Sequence, residues 1–144
     1  SKMNHRFDGM KFFPLDAETV FQPDLASIAC KYHSLTYHFY LYLLCQAYRT
    51  QGYFIEWSEM DANYAKRMMH VRATVAILNE IVGQFIKARI FDREMYEKYG
   101  VLTSKDMQTN FYAAISKRKG QEQESYDYWL LGELKFARPN PKKS

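Results

Sequence analysis

The order in which helical and strand-like patterns alternate along this chain constrains its fold more than any single residue does. Pro14 in "FFPLD" (12–16) biases Phe13 away from helix, so this stretch reads as an extended lead-in. Pro23-Asp24 announces a helix start, with Asp24 as its N-cap candidate, and Leu25, Ile28, Ala29 and Tyr32 then recur at helical spacing. "HS" (33–34) breaks that pattern, and "LTYHFYLYLLCQAYRTQG" (35–52) supplies a longer helix that stops at Gly52, a natural C′ residue. "YFIEW" (53–57), aromatic and β-branched, reads as a short strand. Ser58 and Asp61 are spaced as a near capping box for a helix over about 58–69. A further helical pattern runs from Arg72 to about Ala88, with Val75, Leu78, Val82, Phe85 and Ile86 on one face. "RIFD" (89–92) and "GVLTS" (100–104) look strand-like, separated by a helical turn at Arg93–Lys98, and Thr103 or Ser104 caps a last helix over 105–118.

A strand before two helices, with a strand pair after them, is the order of a winged helix-turn-helix. The predicted fold class is therefore mainly α with a small β-wing. The turn around His70-Val71 joins the two helices, and 89–104 forms the wing. Residues 11–119 make up this domain, and 120–144 form a C-terminal arm and tail. A chain of 144 residues can bury a core without disulfide or metal support. Its two cysteines, Cys30 and Cys45, fall in helix-like apolar sequence and read as free thiols in a reducing, cytoplasmic setting, with Cys30 expected as a core thiol. The apolar run "FYLYLLC" (39–45) is far too short to span a bilayer. Phe, Tyr and Trp total 24 residues, too many for a small core, so some tyrosines must lie at its rim, at an interface or on a stacking surface.

"FFPLD" (12–16), "LYLLCQAYRTQGYFIEW" (41–57), "FIKARIFDREMYEKYGVLTS" (85–104) and "MQTNFYAAISKRK" (107–119) together resemble the N-terminal domain of DnaD-like replication proteins of phages and mobile elements, a Lin-type domain of unknown function. Phe91-Asp92, followed by Leu102-Thr103-Ser104 and Gln108, is the most specific part. The resemblance covers residues 11–119 and implies a winged-helix module in replication initiation or replisome assembly, without known chemistry. The chain departs from the family pattern at "KYHSLT" (31–36), which replaces a glycine-containing break, and no second DnaD-type helical domain follows within these residues.

Charge is uneven along the chain. Residues 64–119 carry 11 Lys/Arg against 5 Asp/Glu, which marks an anionic partner as a candidate. In a helix-turn-helix, Lys66 and Arg67 would hold phosphates, while Arg72, Thr74 and Asn79 would face base edges. Lys117, Arg118 and Lys119 end the last helix, where cations complement the terminal dipole; phosphate binding is the alternative reading. In the arm, "YDYWLLGELKF" (126–136) is apolar enough to need cover, through Tyr128, Trp129, Leu131 and Leu134. It folds back on its own domain or docks on a partner, and a homo-oligomer formed by arm exchange is the alternative. Cys30, His33 and His38 lack the further ligands zinc needs, and no nucleophile elbow, Walker loop or dinucleotide fingerprint occurs. The expected partners are DNA or replisome proteins, with no membrane, no cofactor, no metal and no enzymatic activity. A replisome scaffold that makes no direct DNA contact is the competing function.

Overall fold

The computed structural model describes residues 7–118, 120–123 and 125–132. Six α-helices and two strands follow one another among them: α1 (Pro23–Tyr32), α2 (Ser34–Arg49), β1 (Phe54–Glu56), α3 (Glu59–Met69), α4 (Val75–Lys87), α5 (Arg93–Tyr99), β2 (Val101–Thr103) and α6 (Lys105–Ile115). A single 3₁₀ turn, Thr19–Phe21, precedes α1. The fold is mainly helical with one small antiparallel sheet, in which β1 pairs with β2 in the register Phe54↔Thr103 and Glu56↔Val101.

Local chemistry sets the boundaries. Pro23 takes the first position of α1 behind an extended Gln22, so Asp24 lies in the first turn and is not the N-cap. The break between α1 and α2 is one residue, His33, held at φ 56. Helix α2 ends three residues before the expected stop. The Gly52 N–H closes its last turn onto the Ala47 carbonyl at 2.6 Å, which puts this glycine one position beyond C′. Gly52 has φ +100, and a Cβ there would meet the rings of Phe111 and Phe7 at 2.7 and 2.8 Å.

The largest difference from the sequence reading lies at 89–92, which is not a strand. Arg89 N–H donates to Ile86 O and Ile90 N–H to Phe85 O, the paired bonds of a Schellman stop on α4. Asp92 already caps α5 through the Met95 N–H at 2.9 Å. Two residues between a helix stop and a helix cap leave no length for a strand, so a two-stranded wing hairpin over 89–104 does not form. Instead β2 pairs back to β1, and Asp92 N–H adds one bond to Thr103 O. Arg89 takes the left-handed C′ position at φ 62, where glycine is the usual residue and an L side chain costs about 1–2 kcal/mol.

The core is aromatic. Phe39, Phe85, Phe91 and Phe111 are fully buried, and Trp57 packs against Phe39 at 5.7 Å. Cys30, expected as a core thiol, is exposed on α1, and Cys45 is exposed on α2. Packing extends beyond 11–119 at both ends. Phe7 and Met10 are buried at one, and at the other the arm folds back with Tyr126 buried. Gln108, itself fully buried, receives the arm: its amide donates to Tyr128 O and to Thr103 Oγ1, and its carbonyl accepts the Leu130 N–H at 2.7 Å.

Burial pushes the Tyr48 hydroxyl up to about 12, although the hydrogen bond from Asn110 opposes the shift. A tyrosine whose folded value is raised contributes stability that is fully present below the unfolded value of about 10 and is lost as pH climbs from there toward 12. The melting temperature of the Tyr48→Phe variant should therefore fall less steeply than that of the wild type above pH ~10. Parallel curves would contradict this.

Candidate nucleic-acid interface

Strand β1 delivers the chain into α3 through Ser58. Ser58 N–H donates to Asp61 Oδ2 at 2.9 Å and Asp61 N–H donates back to Ser58 Oγ, a reciprocal capping box. Ala62, Ala65 and Met69 of α3 are buried with Leu78, Ile81 and Val82 of α4 in one core. Helix α3 ends at His70 in the left-handed region, and Thr74 starts α4 by accepting the Ile77 N–H at 3.2 Å. Helix α4 thus begins at Val75, three residues later than expected, and Arg72 lies in the turn before it.

The Lys66 ammonium crosses this turn and donates to Ala73 O at 2.8 Å and Val71 O at 3.4 Å, satisfying two carbonyls of the turn itself. Trp57 Nε1 donates to Asn79 Oδ1 at 2.9 Å, which fixes α4 against β1. Tyr32 donates to Glu80 at 2.8 Å, and that bond to a carboxylate raises the tyrosine's pKa. What remains open around the turn is Arg67, resting over the Tyr64 ring at 5.5 Å, together with His70 and Arg72, all exposed.

The triple-cation stretch lies elsewhere. Helix α6 ends at Ile115, not at 118, so no basic residue falls in its last turn. Lys117 is exposed in the turn that follows. Arg118 donates to Gly9 O at 3.0 Å and covers the Phe7 ring at 5.0 Å, clasping the N-terminal segment onto the core. Lys119 lies outside the described residues. Arg118 is therefore tied to the N-terminal segment and not to the α3–α4 turn.

Of the arm residues, Tyr128 packs on Phe54 at 4.9 Å and Trp129 on Tyr53 at 5.4 Å, both within the same chain. Leu131 is half-buried, and Leu134 lies outside the described residues. Among the described residues, no group of three or more His, Cys, Asp or Glu could hold a metal, and no helix is long and apolar enough to cross a membrane.

Two features escaped the sequence reading. One is a cavity of about 220 Å³ lined by Arg89, Ile90, Asp92, Arg93, Ser104, Lys105 and Asp106. Its signal was an arginine two residues past an apolar helix, hidden by reading "RIFD" as a strand. The other is an exposed apolar ledge on the lead-in, where Phe12 is 86% and Phe21 72% exposed.

Residues 12–107 match the family described as Lin1244/Lin1753-like, N-terminal. A curated relative from Listeria innocua serovar 6a, "Uncharacterized phage-related protein Lin1244/Lin1753", is 26% identical over 115 residues, which cover 79% of this chain. The match takes in 36% of that relative, so the chain spans about a third of its length. No solved structure matches.

Proposed function

The chain belongs to the Lin1244/Lin1753-like N-terminal family, and on that premise we propose that it is a cytoplasmic, non-enzymatic DNA-binding module of a phage or mobile-element replication protein. In this reading it is a winged-helix-like domain of the DnaD-like kind, in which the β1–β2 sheet and α5 stand where a wing hairpin would. The observation that carries the reading is the α3–turn–α4 pair. Lys66, Thr74 and Asn79 are spent on bracing it, while Arg67, His70 and Arg72 are left exposed around one turn. In a helix-turn-helix this turn and the start of the second helix meet the duplex. The phage-related relative supports a phage-associated role.

Binding is carried by few phosphate contacts, so it is weak and salt-sensitive. Three contacts give a fall of roughly 40-fold between about 50 and 200 mM salt. The test is a titration of duplex and single-stranded DNA at those two concentrations, with the Arg67→Ala/Arg72→Ala double variant alongside. The variant should bind more weakly and melt as the wild type does. A wild type that binds neither DNA at the lower salt sinks the reading. The replisome scaffold then takes its place, favoured by the exposed ledge of Phe12, Leu15, Val20 and Phe21.

A further inference from the structure

The cavity beyond the C-terminus of α4 brings together three cations, each standing where local stability disfavours it. Arg89 occupies the left-handed C′ position of a Schellman stop, where glycine would be unstrained. Arg93 is the first residue of α5 and Lys105 the first residue of α6, positions at which the helix dipole repels positive charge. All three residues line the same cavity. Residues that break local rules together in one place mark function more often than accident.

The rest of the lining says what anion fits. Asp92 and Asp106 share the cavity with the three cations, leaving a net charge of one positive. The Asp92 carboxylate is engaged in capping Met95, and Ser104 Oγ in accepting the Met107 N–H. A site with one surplus positive charge and forked guanidinium donors suits a singly charged phosphodiester better than a polyphosphate. Position favours a polymer over a free ion. The cavity sits past the last residue of α4, while the α3–α4 turn precedes its first, and thirteen helical residues separate the two ends by about 20 Å. An extended polyanion is long enough to reach two cationic points that far apart, whereas a free ion is not.

We propose that Arg89, Arg93 and Lys105 hold one phosphodiester of a nucleic-acid backbone as a second anchor, at the far end of α4 from the helix-turn-helix. The inference rests on the DNA-binding reading and adds a contact to it.

The test uses the full chain and an Arg89→Gly/Arg93→Gln/Lys105→Gln variant. Because each substitution relieves a local conflict, the variant should melt at or above the wild-type temperature. It should nevertheless bind DNA several-fold more weakly, equally for all sequences, with a salt slope shallower by about one. In parallel, inorganic phosphate should shift the backbone amide resonances of 89–93 and 104–106 in the wild type and not in the variant. Wild-type DNA binding with an unchanged affinity and slope in the variant overturns the anchor while leaving the helix-turn-helix reading in place. Phosphate shifts in a wild type that binds no DNA overturn the nucleic-acid source and assign the site to free phosphate. Neither phosphate shifts nor DNA binding overturns both.

Discussion

Phe111→Ala is expected to lower the unfolding free energy by about 3–5 kcal/mol. The ring is fully buried and forms a junction of four others: Phe7 at 5.0 Å, Tyr53 at 4.8 Å, Tyr126 at 5.2 Å and Trp129 at 6.2 Å. These partners come from the N-terminal segment, the residue before β1, and the arm, so none can close the void without leaving its own place. Gly52 makes the site tighter still, because the absence of a side chain there admits the Phe111 edge. Urea denaturation of wild type and variant measures the loss. A change below about 1 kcal/mol would show that the aromatic junction is not where the fold is held.

Deleting residues 121–144 is expected to lower stability by roughly 3–6 kcal/mol and the melting temperature by about 10–20 °C, with no change in oligomeric state. Tyr126, Tyr128 and Trp129 leave with the arm, and with them their ring contacts to Tyr53, Phe54, Tyr99, Phe111 and Tyr112. So do the polar partners of a buried residue, because Gln108 would keep its bond to Thr103 but lose Tyr128 O and Leu130 N–H. Tyr53 would also lose the Asp127 carbonyl as acceptor, at 2.9 Å in the intact chain. Gln108→Leu in the full-length chain isolates the polar part and should give a smaller loss of the same sign. Light scattering and a melting curve read both quantities. An unchanged melting temperature would show the arm to be free, and a dimer that becomes a monomer would show that it packs between chains.

Much of the fold was legible because its boundaries rest on local chemistry. Ser58 and Asp61 announced α3, and the period of Leu78, Val82, Phe85 and Ile86 announced the buried face of α4. What misled was any segment whose apolar residues face the core without regular backbone. Ile90 and Phe91 form a short apolar pair with β-branched and aromatic side chains that reads as strand, yet a left-handed Arg89 and a capping Asp92 leave them in a turn. The candidate site was less legible. Charge content marked residues 64–119, but whether a lysine faces phosphate or carbonyl depends on tertiary neighbours. Lys66 and Arg118 both turned inward, onto Ala73 O and Gly9 O. The cavity cations lie on three different elements, and no spacing in the sequence links them.

The clasp between Arg118 and Gly9 joins residues 109 positions apart, and Tyr53 reaches Asp127 across 74. Closure of loops that long comes late, because chain entropy is spent before the contact is made. During synthesis the helices from α1 to α6 can form while Phe111 still lacks Tyr126 and Trp129, so a nascent chain released at that stage displays an uncovered aromatic seam. The segment that closes over this seam is thus the C-terminal one, whose Tyr126 and Trp129 complete the packing around Phe111.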